Sequence, residues 1–273
     1  MRWRPPRGAL GELVERARSA AAERKARFGT RAGEGALRSR VSSRFHAALA
    51  DRSRQGFALI CEVKRASPSA GAIAPAADAA AQAVAYVAAG ARCVSVLTEE
   101  SRFGGTLEDL RRVRAATDAP LLRKDFVVDE WMVDEAAQAG ADAVLLIAAA
   151  VEPSLLVALA NRARSLGMDV LLELAFERDL DALEIGRWDL VGINARDLET
   201  LETDPDRFGR LAVRAAAPGR LLVAESGIRA PEDVRRYRQQ GADAALVGEA
   251  LMRAKDPAVL IASLIEADER RGG

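Results

Sequence analysis

Three times in this chain a helical pattern runs into glycine and, within a few residues, into an apolar strand-like run: AAGARCVSVL (88–97), QAGADAVLLI (138–147) and QQGADAALVG (239–248). A helix commonly stops on a left-handed glycine, and a continuous apolar run without alternation suits a strand covered on both faces. Repeating that junction calls for parallel strands joined by crossover helices. Eight strand-like runs can be counted: ALICEV (58–63), RCVSVL (92–97), PLLRKDF (120–126), AVLLIA (143–148), DVLLEL (169–174), LVGIN (190–194), RLLVAES (220–226) and AALVGE (244–249). Helical patterns alternate with them, at 78–90, 106–117, 130–140, 153–167, 177–185, 206–216, 231–241 and 256–268.

Eight alternating βα units predict an α/β fold, a (β/α)₈ TIM barrel, for which about 250 residues is typical. A doubly wound open sheet competes, but it would have fewer strands and a glycine-rich fingerprint after the first, and no G-x-G-x-x-G occurs. Residues 1–57 precede the first strand. They hold a helical stretch at 10–28, a Gly/Ser/Arg-rich connection and FHAALAD, and read as an N-terminal helical extension to a single catalytic barrel domain at 58–273.

Lys+Arg and Asp+Glu number 40 each, so no global field recruits nucleic acid or an anionic membrane, and any anion site must be local. The longest apolar run, 143–151, is too short to span a bilayer, and MRWRPPRGAL lacks the apolar stretch of a signal peptide. Cys61 and Cys93 sit in apolar runs and read as reduced core thiols of a cytoplasmic protein. One histidine, His46, and two dispersed cysteines offer no soft metal site.

In such a barrel the active site lies at the C-terminal ends of the strands, and it is there that the polar residues fall. The first strand ends in Glu62 and Lys64, which share a face because alternate strand residues point the same way. The third ends in Arg123, Lys124 and Asp125, the fifth in Glu173, and the sixth in Asn194 and Arg196. The seventh ends in Glu225 and Ser226, the eighth in Gly248 and Glu249. Lysines and carboxylates converging on one mouth suit proton transfer, burial being able to draw a lysine down and a glutamate up toward neutral pKa. Ser226-Gly227 and Gly248 follow the last two strands, where this fold usually holds phosphate against helix N-termini, and Ser67 can add a hydroxyl. Cys61, alternating with Glu62, should face the helix layer.

The segments EVKRASPSAG, SVLTEESRFGGTLEDL, LLRKDFVVDEWMVDEAAQAGADAVLLIAA, VGINARDLETL, AESGI and LVGEALM, in this order, resemble indole-3-glycerol phosphate synthase from about Phe57 to about Pro257. The resemblance implies a cytoplasmic lyase of tryptophan biosynthesis, a monomer or weak dimer, with no cofactor and no metal. Its substrate would be 1-(2-carboxyphenylamino)-1-deoxyribulose 5-phosphate, closed to an indole with loss of CO₂ and water. By motif, Lys124 would be the general acid at the ketone and Lys64 would hold the carboxylate. Glu173 would serve dehydration, while Glu62 and Asn194 would position the intermediate. Arg196 and Glu225 would line the mouth, and Ser67, Ser226, Gly227, Gly248 and Glu249 would surround the phosphate. Phe103, Phe126 and Leu145 would pack the aromatic ring.

Three residues depart from that family's pattern. Ala195 stands where many members have Asn, Ala70 where many have Lys, and Arg102 where an aromatic is common. None removes an acid, a base or a phosphate ligand, though Arg102 leaves Phe103 as the one ring there. Two other readings compete: phosphoribosylanthranilate isomerase, which works with a Cys/Asp pair, and an inactive barrel that only binds partners. The first wants its cysteine at the strand end, where Lys64 stands.

Overall fold

The computed structural model describes residues 3–28 and 43–268; the Gly/Ser/Arg-rich connection lies outside them. Eight strands follow one another around a closed ring: β1 (Ala58–Val63), β2 (Cys93–Leu97), β3 (Leu121–Lys124), β4 (Ala143–Ile147), β5 (Asp169–Leu174), β6 (Leu190–Asn194), β7 (Leu221–Glu225) and β8 (Ala244–Val247). Every pairing is parallel, and β8 returns to β1 with Ala244 opposite Ala58. On its other edge β1 sets Ile60 opposite Cys93. The expected barrel is therefore the observed one.

The glycines that end the three repeated helices are left-handed, with φ of 106° at Gly90, 97° at Gly140 and 100° at Gly241. Helix starts are as plainly written. Asp78 accepts from Ala81 N and Asp129 from Trp131 N, and Thr106 and Asp109 cap each other reciprocally. Trp131 and Phe208, both on helices, are buried against the barrel.

Small elements differ from the sequence reading. The helical pattern at 177–185 forms a 3₁₀ helix, Glu177–Glu184. Ala182 O, which α-winding would assign to the Gly186 amide, instead accepts from Ile185 N and from Trp188 Nε1. After β1 the chain makes a two-stranded hairpin, Ala66–Ser67 with Gly71–Ala72. Short helices also form at Glu100–Phe103 and Glu249–Arg253. Each spans too few residues to show a period.

The extension helix, Gly8–Phe28, buries Leu10, Leu13, Val14, Ala17 and Ala21 along one stripe, the spacing of an amphipathic helix on a core. Its first turn is anchored where Ala9 N donates to Glu199 O in the loop after β6. A second helix, Arg44–Ala50, donates the amides of Phe45 and His46 to Asp169 at the start of β5. His46 thus belongs to packing at the opposite end of the barrel from the polar mouth. No helix among the described residues is long and apolar enough to cross a membrane.

Candidate active site

The C-terminal ends of the strands open into a cavity of about 670 Å³. All the residues to which the resemblance gives a role line it: Glu62, Lys64, Ser67, Phe103, Lys124, Phe126, Leu145, Glu173, Asn194, Arg196, Glu225, Ser226, Gly227, Gly248 and Glu249. Strand alternation explains the sorting. Lys124 points inward, while Arg123 turns away and pairs at 2.9 Å with Asp125, which stays at the cavity's edge. Asp125 thus pairs with Arg123 and leaves Lys124 to the carboxylates of the mouth.

Lys124 Nζ lies 3.4 Å from Glu173 Oε2 and 3.6 Å from Glu225 Oε2. Asn194 Nδ2 donates to the other Glu173 oxygen at 3.1 Å, and its own Oδ1 is held by the Arg196 amide at 2.9 Å. Beside them Lys64 Nζ sits 3.0 Å from Glu62 Oε1, and Ser95 Oγ donates to Glu62 Oε2. Three buried carboxylates therefore share two ammonium groups.

Electrostatics divides the five. Burial alone would drive the Lys124 ammonium down, but Glu173, Glu225 and Glu62 together outweigh it and hold the group well above its ordinary range. This corrects the expectation that a buried lysine here would fall toward neutrality. Glu225 moves as a buried glutamate should. Burial, then the charge of Glu173, push its carboxyl well up against the opposing pull of Lys124. Its Oε1 is buried without a hydrogen-bond partner.

The turn after β7 places Ser226 and Gly227 consecutively in the left-handed region, at φ of 69° and 75°. Tyr237 Oη, from the helix Pro231–Gln239, donates to Ser226 O and holds that turn. A serine in this conformation costs energy, and stored backbone strain of this kind clusters at binding sites. Gly248 has a different reason for lacking a side chain, since a Cβ there would stand 2.6 Å from Glu62 Oε1. Phe103 and Phe126 face each other with ring centroids 6.2 Å apart, and with Leu145 they form an apolar wall.

Several functional candidates escaped sequence reasoning. Leu10 and Leu13 of the extension line the cavity, so the extension helps enclose it. Their signal was an apolar stripe with no partner inside residues 1–57. Gly192, mid-strand in LVGIN, is required because a Cβ would overlap Glu225 Oε1; a glycine inside a strand marks such close approach. Arg229 and Arg253 line the cavity close in sequence to the turns after β7 and β8. Arg65 and Arg123, the other cations near the mouth, are committed elsewhere. Arg65 grips Asp109 through two 2.7 Å bonds, and Arg123 is buried.

Of the departures from the family pattern, Ala195 is fully buried, its backbone paired to Glu225 O and Asp204 N. Arg102 is exposed and reaches Glu12 of the extension at 3.3 Å, while Phe103 keeps Phe126 as its ring partner. Cys61 faces away from the cavity, and burial pushes its thiol up.

The family model described as indole-3-glycerol phosphate synthase matches residues 10–264. Indole-3-glycerol phosphate synthase of Mycobacterium leprae is 49% identical over 222 residues, 81% of this chain and 80% of that one. Indole-3-glycerol phosphate synthase 1 of Streptomyces coelicolor is 44% identical over 262 residues, 95% of this chain and 96% of that one. Among solved structures, 3-hexulose-6-phosphate synthase from Salmonella typhimurium superposes with a TM-score of 0.63 at 15% identity, covering 79% of this chain and all of that one, a likeness of fold.

Proposed function

The chain belongs to the indole-3-glycerol phosphate synthase family, and from that premise we propose that the barrel mouth performs the family's ring closure with Lys124 as its acid. The enzyme is a carboxy-lyase: it cyclises and decarboxylates 1-(2-carboxyphenylamino)-1-deoxy-D-ribulose 5-phosphate to indole-3-glycerol phosphate, CO₂ and water. The observation that carries the assignment of roles is Lys124 Nζ inside the cavity, held between Glu173 and Glu225.

The nucleophile is the electron-rich ring carbon that bears the carboxylate. As it attacks the ketone, negative charge grows on the carbonyl oxygen, and an ammonium at Lys124 meets it. A firmly protonated lysine is suited to this task, because the alkoxide formed is a stronger base than any amine and takes the proton as the C–C bond forms. Positioned acids of this kind contribute about 10²–10⁴-fold, and holding chain and ring in a near-attack geometry contributes several powers of ten more. Loss of CO₂ restores the aromatic ring. Lys64, braced by Glu62, holds the carboxylate until then. Glu173, kept in place by Asn194, takes the ring-side proton as the hydroxyl leaves in the dehydration.

Phe103, Phe126 and Leu145 receive the aromatic end, and the turns at Ser226-Gly227 and Gly248-Glu249 receive the phosphate, with Ser67 and Arg196 closing over it. Remote binding at the phosphate then supplies orientation at the reacting carbon. The isomerase reading loses its acid–base pair, since Cys61 is buried on the other face of β1. A cytoplasmic location suits two free, buried thiols, and a monomer or weak dimer is kept as part of the same proposal. The test is a steady-state fluorescence assay of the purified chain with the carboxyphenylamino substrate and no added cofactor. Indole fluorescence should rise with turnover, whereas a chain that binds the substrate without producing the signal would overturn the reading.

A further inference from the structure

Arg123 is the largest fully buried side chain among the described residues, and it lies next to Lys124 in sequence while pointing to the opposite side of the barrel wall. Its Nε donates to Thr98 Oγ1 at 3.1 Å, its Nη1 to Met132 O at 2.7 Å, and its Nη2 to Asp125 Oδ2 at 2.9 Å. Thr98 closes the circuit: its hydroxyl donates to Asp125 Oδ2 at 2.5 Å, and its amide donates to Lys124 O at 3.1 Å. Both chain neighbours of Lys124, and its own carbonyl, are therefore pinned from behind. This network has one exit. Arg123 Nη1 is also 3.4 Å from Glu135 Oε2, and Glu135 is gripped on its far side by Arg24 of the extension helix, Nε to Oε1 at 3.0 Å and Nη2 to Oε2 at 3.2 Å.

We propose that Arg24, Glu135 and Arg123 form a positioning relay that makes the docked extension helix a determinant of Lys124 geometry, beyond its part in enclosing the cavity. The charges support a unit rather than separate pairs. Two arginines and two carboxylates balance, all but Arg24 are buried, and a buried guanidinium is tolerated only when its donors are matched. Removing Arg24 leaves two carboxylates facing one arginine. Glu135 is then free to draw Arg123 away from Asp125 and Thr98, and the strand end that carries Lys124 shifts. The neighbouring Lys25 pairs with Asp129 at 3.3 Å, an exposed contact that docks the same helix without entering the relay, so it separates docking from relay.

The proposal rests on Lys124 as the acid of the site. The experiment compares kcat, KM and melting temperature for Arg24→Gln, Arg24→Lys, Lys25→Gln, Glu135→Gln and the double variant Arg24→Gln/Glu135→Gln. A small misplacement of a catalytic group costs on the order of 10–10²-fold. Arg24→Gln should therefore lose about that much kcat, with KM changed by less than about twofold. Arg24→Lys, which keeps the charge but not the paired donors, should recover part of the loss, and Lys25→Gln should match wild type. The double variant should fall no further than the worse single one, as members of one unit do. Equal losses for Arg24→Gln and Lys25→Gln, a loss carried by KM, or full additivity in the double variant would each overturn the relay. Lys124→Ala, measured alongside, keeps the two ideas apart: if it retains turnover, the acid assignment fails first.

Discussion

Glu225→Gln isolates the one group in the cavity that should hold a proton where free glutamates do not. In the unfolded chain a glutamate ionises near pH 4.3. In the folded barrel burial and Glu173 push Glu225 well above that range. Between the two, the native state binds one proton more than the unfolded state, so stability falls as pH rises. For a single proton the slope is about 1.4 kcal/mol per pH unit. Glutamine keeps the size and the hydrogen-bonding capacity of the protonated acid and has nothing to ionise. Groups remote from Glu225 are common to both proteins and cancel in the difference, while Lys124 and Glu173 interact with it and enter the same pH-dependent difference. Urea unfolding of wild type and Glu225→Gln at a series of pH values above about 4.3 should therefore show the variant gaining on wild type with pH, by up to about 1.4 kcal/mol per pH unit until Glu225 ionises in the folded barrel. If the two stabilities run parallel over the whole series, Glu225 ionises as a free glutamate does and the charge distribution drawn for the cavity is wrong.

Lys124→Ala should cost about 10²–10⁴-fold in kcat while far-ultraviolet circular dichroism stays native; a folded variant keeping more than about a tenth of wild-type kcat refutes the acid assignment. Gly192→Ala should push the Glu225 carboxylate aside and lower stability by about 1–3 kcal/mol, with turnover falling too; an unchanged urea midpoint would show that Glu225 does not rest against β6. Gly227→Ala adds a Cβ that meets Tyr237 Oη at 3.2 Å rather than an acid or base, so it should raise KM and weaken inorganic phosphate as a competitive inhibitor in parallel. Unchanged phosphate inhibition in the folded variant would move the phosphate off the β7 turn. Gly248→Val, by contrast, should damage kcat as well as KM, because its side chain strikes Glu62; an effect on KM alone would refute that contact.

The barrel and the composition of its mouth were legible because both follow from local rules. Continuous apolar runs such as AVLLI mark strands covered on two sides, glycines at 90, 140 and 241 mark helix ends, and alternation sends Glu62 and Lys64 to one face. What sequence did not disclose were relations across the fold. That Lys124 rises rather than falls depends on three carboxylates from β1, β5 and β7, far apart in the chain. Glu225 needs Gly192 from the adjacent strand, and Arg123 shares Glu135 with Arg24 from a helix that precedes the barrel. The Gly248 case shows the limit most clearly. A glycine after β8 reads as a phosphate turn, yet the atom that forbids its side chain belongs to β1, the partner across the closing seam.

The closing seam also bears on how the chain is made. β1 is complete at Val63, but the strand that pairs with its open edge begins at Ala244. At the usual 5–20 residues per second, that edge waits on the order of ten to forty seconds for its partner on the ribosome. The extension helix waits too, since it precedes the barrel and its contacts at Glu135 and Glu199 emerge later. For that interval Leu10, Leu13 and Val14, buried at the end, face solvent or a chaperone. A newly made chain released before Val247 would present an unpaired strand edge on β1, so premature termination in the last βα unit should yield aggregate rather than a smaller soluble barrel.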